Sequence, residues 1–171
     1  SAPHEAGEVF RGAALPADEE AARLAAGEPF AWRLSLDAAK AELGEAAWNA
    51  LSFNEVGPVP DAGLVRATPE LAGDVVLGRK DVGVAYHLAV VVDDAGQGVT
   101  DVVRGQDLFE ATHIQRLLQA LLDLQTPTYF HHHLLKRPDG KRLAKRDKAQ
   151  TLAELRAAGV TAEGLKRSLG L

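Results

Sequence analysis

Val99 to Leu135 reads VTDVVRGQDLFEATHIQRLLQALLDLQTPTYFHHHLL, and its order of elements decides the fold. Val99–Arg104 is rich in β-branched residues and reads as a buried strand that ends at Gly105. From Asp107 to Leu124 the apolar residues recur at helical spacing, which predicts a long amphipathic helix. Tyr129–Leu135 is a second apolar run. Strand, helix, strand predicts parallel pairing with a right-handed crossover, hence an α/β protein. A parallel sheet gathers ligands at the carboxyl ends of its strands. Arg104 stands at such an end, beside a glycine that lets a ligand approach the backbone. A guanidinium fork there can hold a carboxylate through two parallel hydrogen bonds. The competing reading is a strand-end ion pair with Asp101 or Asp107.

Upstream, Asp18–Gly27 reads as a short helix with acid in its first turn, and Phe30–Leu36 alternates as a half-buried strand. Asp37–Leu51 is helix-permissive, with Gly44 against it. Glu55–Pro69 (EVGPVPDAGLVRATP) is dense in Gly and Pro and predicts a loop or short edge strands. Asp74–Lys80 is a strand bulged at Gly78. Periodicity leaves Val84–Asp94 undecided between strand and helix. Asp93 and Asp94, being adjacent, suit turn or cap roles better than a metal or acid–base pair.

Downstream, Arg137–Ala149 (RPDGKRLAKRDKA) places a turn of Pro138, Asp139 and Gly140 before a cluster of cations. It reads either as a solvated charged turn or as a phosphate-binding loop. Two helical pieces follow, Ala149–Ala158 ended by Gly159 and Thr161–Leu169. Among the three histidines at 131–133, the first and third share a face if the segment is extended. With no acid or cysteine next to them in sequence, one core-facing or adenine-neighbouring histidine flanked by two others is a better reading than a metal site. Trp32 and Trp48 suit core or rim positions.

Composition narrows the class. The chain has 171 residues, 46% hydrophobic and 25% charged, with a net charge of −5, so any polyanion contact must be local. It has no cysteine, which excludes disulfides and thiolate metal sites. No apolar run reaches the roughly 20 residues of a membrane helix, and the opening SAPHEAGEVF lacks signal-peptide regions, so a cytoplasmic setting without membrane contact is expected. A chain that opens at Ser1 and lacks methionine is expected to be a piece of a longer product. No P-loop, GxGxxG or nucleophile elbow occurs.

Three pieces then stand in the order of one family: GRKDVGVAYHLAVVVDDAGQGVTDVVRGQDL (78–108), LLDLQTPTYFHHHLL (121–135) and DGKRLAKR (139–146). Together they resemble the second half of the class I glutamyl-tRNA synthetase catalytic domain, and more closely its truncated relatives, the glutamyl-queuosine tRNA(Asp) synthetases. The likeness runs from about Glu28 to Gly159. It implies part of a Rossmann-like fold, with a connective region at 1–70, the second half of the nucleotide fold at 71–150 and C-terminal helices at 151–171. It further implies that Tyr86 and Arg104 bind glutamate. Arg142, Leu143, Ala144, Lys145 and Arg146 are similar to the KMSKS loop, with Lys145 on the ATP phosphates and Arg142 beside it in catalysis.

The implied reaction is ATP-dependent activation of L-glutamate, with Mg²⁺ accompanying ATP, and transfer to queuosine in the anticodon loop of tRNA(Asp) by an enzyme that is a monomer when intact. Departures from the family matter too. Arg142 and Ala144 replace a lysine and a serine of the loop. Phe10–Ala14 stands where the family often carries a zinc-ligating cysteine, so no zinc is expected. The HIGH-motif half lies upstream of Ser1, so the chain alone is expected to be inactive. The short C-terminus, and Leu108 where the larger enzymes have histidine, favour the queuosine-modifying relatives. A fragment of a true glutamyl-tRNA synthetase, and a non-catalytic tRNA- or protein-binding remnant, are the alternatives.

Overall fold

A computed structural model describes residues 9–135 and 151–168. The chain divides into two compact units, Ser1–His133 and Leu134–Leu171. The loop cations Arg142 and Lys145 lie outside the described residues.

In the first unit the elements run α1 (Ala17–Ala25), β1 (Ala31–Arg33), α2 (Leu36–Asn49), β2 (Ser52–Glu55), β3 (Gly63–Arg66), β4 (Val76–Arg79), β5 (Gly83–Val84), α3 (Tyr86–Gly96), β6 (Asp101–Gly105), α4 (Phe109–Leu121) and β7 (Thr128–His132). Two sheets form, a three-stranded one ordered β1-β4-β5 and a four-stranded one ordered β3-β2-β7-β6. β6 pairs parallel with β7 around α4, as the strand–helix–strand pattern predicts. β7 also runs parallel to β2, and β3 returns antiparallel to β2, which makes the larger sheet mixed.

The core explains why these segments pack. Leu36, Trp48, Leu51, Phe53, Ile114, Leu117 and Tyr129 close over one face of the larger sheet, drawn from α2, the short link after it, β2, α4 and β7. Phe53 sits at its centre, with the rings of Phe109, His113 and Tyr129 edge-on at 5.9, 5.4 and 5.6 Å. That geometry is the one aromatic quadrupoles favour. Trp48 is buried and Trp32 half-exposed, a core and a rim position.

Several expectations change. The strand expected over Phe30–Leu36 shortens to Ala31–Arg33, because Ser35 Oγ accepts the Ala38 N–H and caps α2. Within α2, Gly44 takes φ +76° and ψ 157°, a kink that only glycine adopts without strain. The bulge in the smaller sheet falls at Leu77 rather than Gly78, since Trp32 pairs with Gly78 and Arg33 with Val76. The undecided segment is helical, and Val91 is the residue it buries. Asp93 and Asp94 accept at their backbone carbonyls from Gln97 and Val99 and close that helix. Val99–Arg104 is half-buried rather than buried, with Val103 69% exposed on the outer face. Within Glu55–Pro69, expected as a loop or short edge strands, β3 is an edge strand, whereas Glu55 itself ends β2, an interior strand that the sequence reading does not include.

In the second unit, α5 (Leu152–Ala157) starts with a capping box, Thr151 accepting from the Glu154 N–H while Glu154 accepts from that of Thr151. Gly159, at φ +84°, ends it. α6 (Ala162–Ser168) follows, its first turn closed by Thr161 Oγ1 accepting from Gly164.

Candidate functional site

Three strands of the larger sheet end side by side. Glu55 closes β2, Arg104 is next to last on β6, and His131 is next to last on β7, registered opposite Arg104. Alternation along each strand turns these three inward while Asp101, Val103, Phe130 and His132 face out. Arg104 and Asp101 therefore sit on opposite faces, and Asp101 accepts from Thr100 Oγ1 instead of pairing with Arg104.

Arg104 is held by neutral partners. Its Nε donates to His131 Nε2 at 3.0 Å, and its Nη2 donates to Thr112 Oγ1 at 2.7 Å and Gln115 Oε1 at 2.8 Å. Thr112 and Gln115 reach it from α4. The guanidinium also lies over the Tyr129 ring, 5.2 Å from its centroid, where the cation meets the negative face of the π system. Gln115 turns its carbonyl oxygen to Arg104, which leaves its own Nε2 buried without a partner among the described residues. Among the described residues no hydrogen bond uses Arg104 Nη1. Three of the five donors are thus taken and both remaining N–H groups belong to Nη1, so the guanidinium offers an oxyanion one nitrogen rather than the two-nitrogen fork expected from the sequence.

Behind Arg104 lies a buried acid. The Glu55 and His131 side chains are wholly inaccessible, with Glu55 Oε2 2.5 Å from His131 Nδ1. Oε1 accepts the backbone N–H of Gly57 at 2.7 Å and of His131 at 3.0 Å. Burial pushes the Glu55 carboxyl up, but these N–H donors and the imidazole outweigh it and hold it below the usual carboxylate value. Burial pushes His131 down; the hydrogen bond that its Nδ1–H donates to Glu55 opposes this and the Arg104 charge adds to it, so the ring stays below the ordinary histidine value. The result is a carboxylate, a neutral imidazole and a cation in line. Tyr129 stacks on His131 at 5.9 Å and Phe109 meets it edge-on at 5.3 Å, which keeps water from the ring.

Gly57 makes this approach possible. A Cβ there would lie 2.5 Å from both the N and O of His131 and 2.7 Å from Glu55 Oε1. The turn after β2 thus needs glycine for close backbone contact.

Of the residues singled out in the sequence, Arg104 is at the centre of this cluster. Tyr86 opens α3 and is half-exposed, its ring 5.8 Å from that of His87. No hydrogen bond or ring contact joins it to Arg104 among the described residues, and the aromatic partner of Arg104 is Tyr129. One of the three histidines is core-facing and two flank it outside: His132 and His133 are exposed, His133 bonded to Gln106 Oε1 at 3.0 Å. An acid does stand beside the core histidine, contrary to its sequence neighbourhood, but it comes from β2. Among the described residues no three of His, Cys, Asp and Glu gather as a metal site. No helix among them is long and apolar enough to cross a membrane.

Comparison with known proteins places this geometry in context. Residues 59–171 match the family model of the class I tRNA synthetases (E and Q), catalytic domain. The chain is 48% identical over 145 residues to the glutamyl-Q tRNA(Asp) synthetase of Rhodobacter capsulatus, a match covering 82% of this chain and 49% of that protein. It is 54% identical over 102 residues to the enzyme of the same name from Nocardia farcinica, 57% of this chain and 33% of the other. A glutamate–tRNA ligase of a Synechococcus strain is 43% identical over 104 residues, 61% of this chain and 22% of that one. Among solved structures, the glutamate-tRNA synthetase of Elizabethkingia anophelis superimposes with TM-score 0.57 at 25% identity, over 78% of this chain and 24% of that chain. The chain spans about half the length or less of the curated relatives it matches.

Proposed function

This chain belongs to the class I (E and Q) tRNA synthetase catalytic-domain family, and from that membership we propose that it is part of a ligase that activates glutamate with ATP and transfers it to queuosine of tRNA(Asp). One observation carries the amino-acid half of this reading. Arg104 is fixed at the carboxyl end of β6 by His131, Thr112 and Gln115, with Nη1 unengaged among the described residues. A guanidinium held this way meets a carboxylate without first losing rotamer freedom, so less of the interaction is spent on ordering. Arg104 and Tyr86 bind L-glutamate in this proposal. The glutamate α-carboxylate attacks the α-phosphorus of ATP, an O–P bond forms, and the bond to pyrophosphate breaks. Negative charge builds on the phosphoryl oxygens, where Lys145 and Arg142 supply cations that favour the transition state over the ground state. Mg²⁺ enters with the ATP phosphates, and no residue of this chain is assigned to it.

Support for this acceptor comes from two similar relatives that bear the name glutamyl-Q tRNA(Asp) synthetase, at 48% and 54% identity. A second reading, a glutamyl-tRNA synthetase segment, draws on the Synechococcus likeness. Glutamate transfer by the gene product that carries this chain separates them. We expect label from glutamate in queuosine-containing tRNA(Asp) and none in tRNA(Glu); the reverse result establishes the second reading. In the same assays Lys145→Ala is expected to cut glutamate-dependent pyrophosphate exchange by roughly a hundredfold or more while glutamate binding persists.

A further inference from the structure

Glu55 takes no part in the chemistry above, yet it is the most deeply buried charge beside Arg104. The geometry of its neighbours fixes a tautomer. A ring nitrogen 2.5 Å from a carboxylate oxygen carries the proton, so His131 is N–H at Nδ1. On the other side of the ring, Arg104 Nε can only donate, so Nε2 at 3.0 Å must be bare. Both contacts demand the same neutral form. We propose that Glu55 is a positioning residue for Arg104: its carboxylate holds His131 as the Nδ1–H tautomer, and the bare Nε2 then fixes the guanidinium with Nη1 presented for an oxyanion. The relevance to glutamate rests on the reading of Arg104 as the carboxylate anchor. The orienting of Arg104 by Glu55 does not.

Glu55→Gln isolates the effect. Oε1 keeps its two backbone N–H donors from Gly57 and His131 only if the amide oxygen stays there. The amide nitrogen then replaces Oε2 and donates toward Nδ1. The ring proton must move to Nε2, where it faces the Arg104 Nε–H, donor against donor. Turning the amide the other way sets its N–H₂ against two backbone donors, a worse outcome. A merely space-filling role for Glu55 predicts no such change, since Gln is nearly isosteric.

The test uses the gene product that carries this chain, labelled with ¹⁵N, at about pH 7.5, above the ordinary histidine range. Long-range ¹H–¹⁵N correlations report which ring nitrogen of His131 is protonated, the Arg104 Nε–H resonance reports the guanidinium, and calorimetry reports L-glutamate affinity. Expected are an Nδ1–H ring in the wild type and an Nε2–H ring in Glu55→Gln. A shifted Arg104 Nε–H and glutamate affinity weaker by about tenfold or more should accompany the flip. A wild-type ring protonated at Nε2, or a Glu55→Gln ring still Nδ1–H with Arg104 unmoved, overturns the proposal. The wild-type spectrum decides alone if the variant does not fold. Should the ring flip and Arg104 shift while wild type shows no saturable glutamate binding, the positioning role stands and the glutamate reading of Arg104 falls.

Discussion

Arg104 gains its character from partners that carry no charge of their own. Thr112, Gln115 and neutral His131 give it hydrogen bonds without cancelling its field, so the cation stays available to a ligand. Glu55, one ring further away, balances the charge from behind. Removing the guanidinium leaves that buried acid facing only a neutral ring. Arg104→Ala should therefore cost about 1.5–3 kcal/mol of stability, read from urea unfolding at unchanged slope. A loss near zero would mean that the hydrogen bonds at Arg104 do not form in solution. At this scale the sequence showed the arginine but not its setting. Arg104 was legible because it ends a strand before Gly105. Glu55 was not, because it meets His131 across 76 positions of chain and no local pattern encodes such a pairing. Thr112 and Gln115 could have been found: they sit three apart on the first turns of α4, the side facing the strand end.

Glycines give the elements their sharpest tests. Gly44 lies inside α2, where helix propensity alone says alanine should stabilise by about 1 kcal/mol. Its φ of +76° and ψ of 157° reverse that sign. Gly44→Ala should destabilise by about 1–3 kcal/mol in chemical denaturation, although the space around it is open. A stabilising result would show α2 to be one straight helix. At Gly57 the obstacle is contact: alanine meets the backbone of His131 and the Glu55 carboxylate, and about 1–3 kcal/mol or more should be lost, with the His131 ring resonances displaced. The elements themselves were unevenly legible. α4 and its flanking strands stood out because a long helical period between two short apolar runs has few other readings. β2 did not, since four residues before a Gly- and Pro-rich turn carry almost no periodic signal. Its place in the sheet is set by Phe53 entering the core. For the same reason Phe53→Ala is expected to cost about 3–5 kcal/mol.

For the molecule as a whole, pH brings the buried groups together. Burial lowers His131, and His113 likewise, below the ordinary histidine value, so the unfolded chain takes up these protons first as pH falls. Stability should decline from about pH 6.5 downward on that account. Glu55 and Asp74 are raised by burial but held below 4.5 and 3.8 by their N–H donors, Leu36 and Gly12 in the case of Asp74. Their contribution is present above those values and lost as pH drops through the lower folded ones, so the decline should steepen below about pH 4.5. Urea midpoints that rise on acidification would contradict this. The family and the strand–helix–strand part of the larger sheet were legible from motifs in fixed order; in the smaller sheet β1 and β4 were legible as strands, whereas β5 was not, because it is only two residues long. The central question is whether Arg104 receives a carboxylate, and calorimetric titration of L-glutamate into the gene product that carries this chain and into its Arg104→Ala variant measures that most directly. Saturable binding to the wild type, weakened by about a hundredfold in the variant, is the expected result. Equal affinity in the two proteins would contradict it.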